Sequence, residues 1–201
     1  MAVVNLHILD ETDRGSDELT TTSLARVQVG RTSWQWQKQM LFVRLHPHLV
    51  GDPPVAHRFR EVLAAWVGHT LPHQPTMLHA EPHADPFAVF EFEPGHALDA
   101  VFASLAFTRP LSRGTADRII ESVYRGLAAR HELGFAHGAV GLDRIAVTEH
   151  GVDLGIGAPW SRSATREGDL RRADALARDM LARTRVVTPP GWLALGARRP
   201  S

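Results

Sequence analysis

The sequence predicts an α+β protein with two lobes, a small lobe rich in antiparallel strands and a reduced helical lobe. Strand-like runs dominate the chain up to residue 93, and helical periodicity dominates most of the chain after it. Runs of strands followed by runs of helices are typical of α+β folds. Because Pro94 and Gly95 break the pattern between these regions, we expect lobes at 1–93 and 94–201, the second ending in a tail.

Composition excludes several classes of protein. The chain has 201 residues, of which 44% are hydrophobic, so it is long enough and apolar enough to bury a core. Its formal net charge is zero, which gives no reason to expect a nucleic-acid partner. Without cysteine it forms neither disulfides nor thiolate zinc sites. No segment has the apolar length of a membrane span or the pattern of a secretion signal, so we expect a cytoplasmic protein.

The small lobe is predicted to hold an antiparallel meander and one main helix. Apolar side chains at Phe59, Val62, Leu63 and Trp66 recur at helical spacing and mark the face that packs on the sheet. The polar stretch 10–23 is interpreted as a loop. The predicted strands cover residues 2–9, 24–29, 33–37, 40–45 and 87–92, and the helix covers residues 55–67.

The helical lobe is organised around residues 127–160. There a helix ends at Gly134, a polar loop follows, and two short apolar runs flank a turn at 149–151, which predicts a β-hairpin ending in a glycine loop at 155–157. Further helices are predicted at 98–105, 115–131 and 168–183.

This order of segments resembles a bacterial serine/threonine-kinase-like domain, from about Leu24 to Arg183. FAVFEFEPGHALDAVF is similar to the last small-lobe strand, the hinge and the next helix of kinases, which implies that Phe90 is the gatekeeper and that Glu91 begins the hinge. RFREVLAAW is similar to the small-lobe helix and implies Glu61 as its ion-pairing glutamate. MLFVRL is similar to the third strand and implies Arg44 in place of the phosphate-binding lysine. Arg44 and Glu61 would then form an ion pair or remain two solvated charges.

The resemblance implies a degenerate catalytic loop, HGAVGLDR. His137 is retained, but Ala139 takes the position of the catalytic aspartate, and a methyl group cannot accept a proton. Arg144 takes the position of a metal-binding asparagine, and its cation would repel magnesium. Phosphoryl transfer requires these groups to hold the metal and orient the acceptor.

Two further kinase motifs are weak or missing. Either Gly155-Ile156-Gly157 or Asp153-Leu154-Gly155 corresponds to the metal-binding Asp-Phe-Gly, since a two-residue slip keeps side chains on the same strand face. A glycine-rich phosphate loop is absent around Gly30. Lys38, the only lysine, is the one residue that could substitute for the phosphate-binding lysine.

We therefore expect a catalytically inactive pseudokinase that acts as a scaffold or regulatory subunit, without ATP, another cofactor or a metal site. The alternative is a protein that binds nucleotide, or an enzyme of unorthodox phosphoryl or nucleotidyl transfer that holds metal with acidic residues. The candidates for such ligands are Asp143, Glu149, Asp153 and Asp169.

The helical lobe is shorter than the resemblance leads one to expect, since few residues follow the helix at 168–183. Its apolar stripe of Leu176, Met180 and Leu181 should lack its usual cover, and the tail carries Trp192 among other apolar residues. Exposed apolar patches usually mark interfaces, so we expect this face to bind a protein partner or a second copy of the chain.

Overall fold

The computed structural model describes residues 5–31, 34–83, 85–105 and 111–184. These residues form the predicted α+β architecture, with a sheet lobe followed by a helical lobe. The strands are β1 Asn5–Ser16, β2 Thr20–Arg31, β3 Trp34–Leu45, β4 Met77–Glu81, β5 Phe87–Glu91, β6 Gly95–Ala97, β7 Ala146–Thr148 and β8 Gly151–Asp153. The α-helices are α1 Pro53–Trp66, α2 Leu98–Leu105, α3 Arg113–Glu132 and α4 Arg166–Ala182.

The small-lobe sheet has five antiparallel strands in the order β1-β2-β3-β5-β4. The prediction of a loop over residues 10–23 is wrong, because β1 and β2 pair through most of that stretch and turn only at residues 17–19. β1 is an edge strand with exposed side chains such as Asp10 and Arg14. Charged residues are common on edge strands, where they discourage pairing with other chains.

The helix α1 begins at two prolines and packs through the predicted stripe. Asp52 caps its first turn by accepting a hydrogen bond from the Val55 N–H at 3.4 Å, and proline suits the first positions because it lacks an N–H. Its buried side chains enter a cluster, here called the upper core, that also includes three side chains from the helical lobe. The upper core contains Val43, Leu45, Phe59, Leu63, Trp66, Phe90, Phe135, Ile156 and Trp160, among others.

The hairpin predicted in the helical lobe is confirmed. β7 and β8 pair antiparallel, with Val147 opposite Val152, and β6 adds a third strand. Because the chain enters β6 directly after residues 92–94 and then begins α2, this small sheet lies where the two lobes join.

The helices of the larger lobe surround a lower core. Ser112 caps α3 and Thr165 caps α4, each by accepting a backbone N–H, at 3.1 Å and 3.0 Å. The helices bury one face each, and the lower core contains Leu98, Phe102, Ile119, Val123, Leu127, Leu154, Leu176 and Met180, among others. No helix in the described ranges is both long and apolar enough to cross a membrane.

The apolar stripe on α4 does not form the exposed face that the sequence led us to expect. Leu176 and Met180 are buried in the lower core among side chains of α2 and α3, and Leu181 packs at its margin. The prediction that this stripe lacks a cover is therefore wrong, since the remaining helices close around it. Trp192 lies outside the described residues.

Candidate functional site

A cleft with a volume of about 510 Å³ lies between the two lobes. The β1–β2 turn, β3 and the residue after β5 line one side of it, and the loops after α3 and β8 line the other. Its described lining includes Arg14, Ser16, Asp17, Thr22, Leu41, Phe92, Ala139, Asp143, Arg144, Leu154, Gly155, Ile156 and Gly157.

Strand β3 turns the side chain of Arg44 away from this cleft. Leu41 lines the cleft and Val43 lies in the upper core, so the odd-numbered side chains face inward. Arg44 lies on the opposite face, where its guanidinium stacks over Phe42 at 5.1 Å and pairs with the Glu11 carboxylate. The predicted position of Arg44 is therefore wrong by one residue, and a shift of one residue along a strand moves a side chain to the other face.

The helix α1 likewise keeps Glu61 on its exposed side. Glu61 lies 3.2 Å from the His57 imidazole and 3.8 Å from the Arg58 guanidinium, and half of its side chain is exposed. The ion pair of Arg44 is made with Glu11, so the pairing of Arg44 with Glu61 does not form. Where an ion pair between Arg44 and Glu61 was considered, Val43 of β3 packs against the apolar face of α1 within the upper core.

The segment at the end of β5 separates the cleft from a second cavity of about 460 Å³. Phe90 is fully buried, with its ring centre 4.9 Å from that of Trp66. Glu91 forms an ion pair with Lys38, and both line the second cavity rather than the cleft. Because its charge is used there, Lys38 does not replace a phosphate-binding lysine in the cleft.

The turn between β1 and β2 covers the cleft and is held together by Asp17. The carboxylate accepts the backbone N–H groups of Leu19 at 2.8 Å and Thr20 at 2.6 Å, and the Thr20 hydroxyl at 3.0 Å. It also accepts the indole N–H of Trp160 at 3.0 Å. Gly30 does not belong to this turn, because it lies within β2 and pairs with both β1 and β3.

Comparison with known proteins supports this architecture. No protein-family model matches the sequence, and no curated protein sequence matches it. Among solved structures, the kinase domain of PknI from Mycobacterium tuberculosis superposes with a TM-score of 0.62 at 16% identity, over 91% of this chain and 80% of that domain. A variant of that domain with one cysteine replaced by alanine superposes with a TM-score of 0.62 at 15% identity, over 91% and 79% of the two chains.

The fold is that of a protein kinase. Identities of 15–16% establish the fold and nothing about activity.

In this kinase-like fold the loop after α3 is anchored by the buried carboxylate of Asp169. The N–H groups of His137 and Gly138 donate to it at 2.6 Å and 2.8 Å, and the His131 imidazole donates at 2.9 Å. Because all three donors converge on one buried side chain, Asp169 serves as an anchor for the loop and does not reach the cleft. Nothing in its contacts suits it to hold a metal ion in the cleft.

His137 is a buried neutral imidazole that braces the same loop. Its Nε2 donates to the Leu154 carbonyl at 2.9 Å, and its Nδ1 accepts the Ala139 N–H at 3.3 Å, which fixes the tautomer. Burial, together with the nearby charge of Arg130, lowers the pKa of His137 to about 3. The side chain therefore carries no charge at neutral pH and acts as a structural link between the loop and the chain after β8.

Arg130 was not identified from the sequence, although it is buried where the two lobes meet and bonds to residues of both. Its guanidinium donates to the Gln74 side chain at 2.6 Å and to the carbonyls of Ile156 at 2.7 Å and Gly155 at 3.2 Å. Burial lowers the pKa of Arg130 to about 9, so it remains a cation at neutral pH. The signal was present, because Arg130 follows Leu127 by three residues on the buried face of α3.

At the positions that the kinase resemblance assigns to catalysis, the cleft presents Ala139, Arg144 and Gly155. Arg144 and Asp143 are both exposed, and the Arg144 Nε lies 3.2 Å from the Asp143 carboxylate. Their charges largely satisfy each other, and surface pairs of this kind contribute little to stability. No group of three or more potential metal ligands occurs within the described portion of the chain.

The geometry after β8 favours one of the two alignments of the glycine loop. Ile156 enters the upper core beside α1, and Gly155 and Gly157 line the cleft with positive φ angles of 71° and 69°. Asp153 lines the second cavity instead, where its carboxylate accepts the Gly155 N–H at 2.7 Å and burial raises its pKa. This arrangement favours Gly155-Ile156-Gly157 as the counterpart of the metal-binding motif.

Proposed function

We propose that this chain is a catalytically inactive kinase-like protein, a pseudokinase, that acts in the cytoplasm as a protein-binding scaffold or regulatory subunit. The observation that carries the proposal is the set of side chains at the bottom of the cleft. Kinase chemistry needs a proton acceptor and ligands for magnesium at these positions. This chain has a methyl group at Ala139, a guanidinium at Arg144 and only backbone at Gly155.

The two carboxylates among the described residues that line the cleft support the same proposal. Asp143 is paired with Arg144, and Asp17 accepts four hydrogen bonds from the turn and from Trp160. A carboxylate already saturated with N–H and O–H donors is a poor ligand for a hard cation, because binding would strip it of those bonds. The alternative of metal held by Asp153 or Asp169 loses support, since neither lines the cleft.

In the described part of the chain, neither β3 nor α1 presents a charge to the upper side of the cleft, where the lining cation is Arg14 of β1. An active kinase needs a lysine and glutamate pair in this region. Here β3 presents Leu41 and Val43 on its inner face, and Glu61 lies on the exposed side of α1. These apolar side chains stabilise the lobe without offering a cation to the phosphates.

Nucleotide binding without turnover is a second candidate function, because one observation favours it. The cleft volume of about 510 Å³ is of the size that small-molecule ligands occupy, about 300–1,000 Å³. Leu41, Phe92 and Leu154 give it an apolar lining. An aromatic base could be held there even if the phosphates found no metal.

A thermal-shift titration separates the two candidates. Saturation at about 100 times the dissociation constant stabilises a protein by about 2.7 kcal/mol, which is readily seen in the melting temperature. We expect no rise with ATP, with or without magnesium or manganese. A rise that disappears in a Leu41→Trp variant, whose cleft is filled, would favour nucleotide binding. A rise that persists in that variant would indicate binding elsewhere.

The partner would be another protein or a second copy of this chain. Light scattering measures the mass in solution directly, and we expect a mass above that of the monomer if the chain pairs with itself. Capture of a partner can be compared with and without residues 184–201. Because Leu176 and Met180 are buried in the lower core, they cannot serve as the docking surface without unfolding α4.

A further inference from the structure

Asp17 and Trp160 connect the two lobes at the edge of the cleft. Asp17 belongs to the turn between β1 and β2, whereas Trp160 follows the glycine loop of the helical lobe, 143 residues later. The Trp160 ring is 1% exposed and lies 5.2 Å from the ring of Phe59, so its position is fixed by the upper core. Its indole N–H, donated to Asp17 at 3.0 Å, is therefore a fixed anchor for a turn that lies over the cleft.

The turn behaves as one unit because its polar groups are bonded within it and to the end of β3. The Asp17 carboxylate accepts the N–H groups of Leu19 and Thr20, which closes the turn. The Asp17 carbonyl oxygen lies 3.1 Å from the His46 Nε2, and the His46 Nδ1 lies 3.2 Å from the Thr21 hydroxyl. These bonds hold the shape of the turn whether or not Trp160 is attached to it.

On the side away from this front edge, here called the rear, a different set of contacts joins the two lobes. His73 and Gln74, in the loop before β4, contact the helical lobe through backbone and side chain. The Leu154 N–H donates to the His73 carbonyl at 2.8 Å, and Gln74 bonds to both Arg130 and the Gly126 carbonyl. Among the described residues, several buried hydrogen bonds join the lobes at the rear, whereas at the front Trp160 donates one hydrogen bond to the turn and Leu19 packs on the upper core. The front therefore has the fewer hydrogen bonds and is the weaker side.

We propose that the hydrogen bond between Asp17 and Trp160 is a latch that holds the β1–β2 turn closed over the cleft, and that the cleft opens when this bond breaks. The latch does not depend on whether the protein is catalytically inactive, since it concerns only how the turn is held to the helical lobe.

Hydrogen exchange of the Leu19 and Thr20 amides shows whether the turn keeps its own bonds in a Trp160→Phe variant. Phenylalanine keeps an aromatic ring against Phe59 but removes the N–H donor together with some buried volume, and the bonds within the turn remain. A hydrogen bond to a charged group contributes enough to change an opening equilibrium by about tenfold. The open position of the turn should therefore become more populated by about that factor, while the Leu19 and Thr20 amides stay protected by Asp17, as they should in an Asp10→Asn control, which removes an exposed ion pair of the same hairpin.

A distance measurement provides the second test, and the chain suits it because it contains no cysteine. Glu18→Cys and Ser163→Cys place spin labels on the turn and near Trp160, both at exposed positions. We expect one narrow distance distribution, and a second, longer distance when Trp160→Phe is added.

An Asp17→Asn variant replaces Trp160→Phe if the latter does not fold. The amide oxygen can still accept the bonds within the turn, but an amide N–H₂ directed at the indole N–H cannot accept its hydrogen bond. An unchanged distance distribution in a folded variant would overturn the proposal. It would show that the turn stays over the cleft through its bonds to the end of β3.

Discussion

The guanidinium carbon of Arg130 lies 4.3 Å from the centre of the Trp66 ring, inside the joint between the lobes. Trp66 comes from the end of α1 and Arg130 from the end of α3, so this contact fastens the main helix of each lobe to the other. A buried cation is tolerated because a ring face and carbonyl and amide oxygens surround it. Its hydrogen bonds to the carbonyls of Gly155 and Ile156 fix the glycine loop.

Removing this cation should destabilise the whole fold. Arg130→Met keeps much of the side-chain volume but leaves the Gln74 oxygen and two carbonyls without their buried donor, so we expect a loss of about 3–5 kcal/mol in the free energy of unfolding. Urea denaturation measures this loss. Arg113→Met, which removes an exposed pair with Asp117, serves as the control and should change stability by less than about 0.5 kcal/mol. Equal effects in the two variants would contradict this role of Arg130.

His137 should make the fold less stable in acid. Its pKa is about 3 in the folded protein and 6.5 in the unfolded chain, so between these values the unfolded state binds the extra proton. Stability contributed by neutral His137 is therefore complete above about pH 6.5 and is lost as the pH falls toward 3. The slope is at most about 1.4 kcal/mol per pH unit.

A His137→Gln variant isolates that contribution, because an amide does not titrate. The raised pKa of Asp153 acts in the opposite sense and the lowered pKa of Glu11 acts in the same sense, but both carboxylates are present in the two proteins. Denaturation at several values between about pH 4 and pH 7 should show a shallower slope in the variant. Parallel slopes would mean that His137 takes up its proton at the same pH in both states.

Gly157 should not tolerate a side chain. Its φ angle of +69° disfavours other residues, and an added Cβ would meet the carbonyl oxygen and the ring of His137. We expect Gly157→Ala to lower the free energy of unfolding by more than about 2 kcal/mol. Gly134→Ala shares the positive φ but has open space around the Cβ, so it should cost only about 1 kcal/mol. A Gly157→Ala variant as stable as Gly134→Ala would show that the approach to His137 is not tight.

The inward and outward faces of β3 can be distinguished by truncating two neighbouring residues. Val43 is fully buried in the upper core, so Val43→Ala should cost about 2 kcal/mol through lost contact and a cavity. Arg44 is partly exposed on the outer face, and Arg44→Ala should cost less than about 1 kcal/mol. Thermal unfolding of both variants measures the difference. A larger loss for Arg44 would mean that the faces are exchanged.

Patterns of apolar residues predicted the helices and the hairpin well, because packing against a core leaves a clear period. The stripe of α1 and the paired runs of the hairpin lie within a few residues of where the sequence placed them. The edge strand β1 was predicted only as far as Leu9, because its second half has few apolar side chains and pairs with β2 through backbone hydrogen bonds that leave no period in the sequence.

The site was predicted less well than the fold, for reasons of register and distance along the chain. Similarity to a motif places Arg44 within one residue, but one residue decides whether a strand side chain faces the cleft. Asp17 and Trp160 meet across 143 residues of sequence, and neither carries a periodic signal. Ala139 and Arg144, by contrast, lie in a loop whose path follows from the helix and hairpin on either side, and both line the cleft.

The most direct test of the proposed lack of catalysis is transfer of the γ-phosphate from labelled ATP by the pure protein, with magnesium or manganese. We expect label to reach water or an acceptor protein no faster than without the chain, because Ala139 offers no base and Gly155 no metal ligand. An Asp143→Asn variant should behave identically. Metal-dependent transfer by the wild-type protein that is lost in Asp143→Asn would contradict the proposal and show that the cleft is an active site.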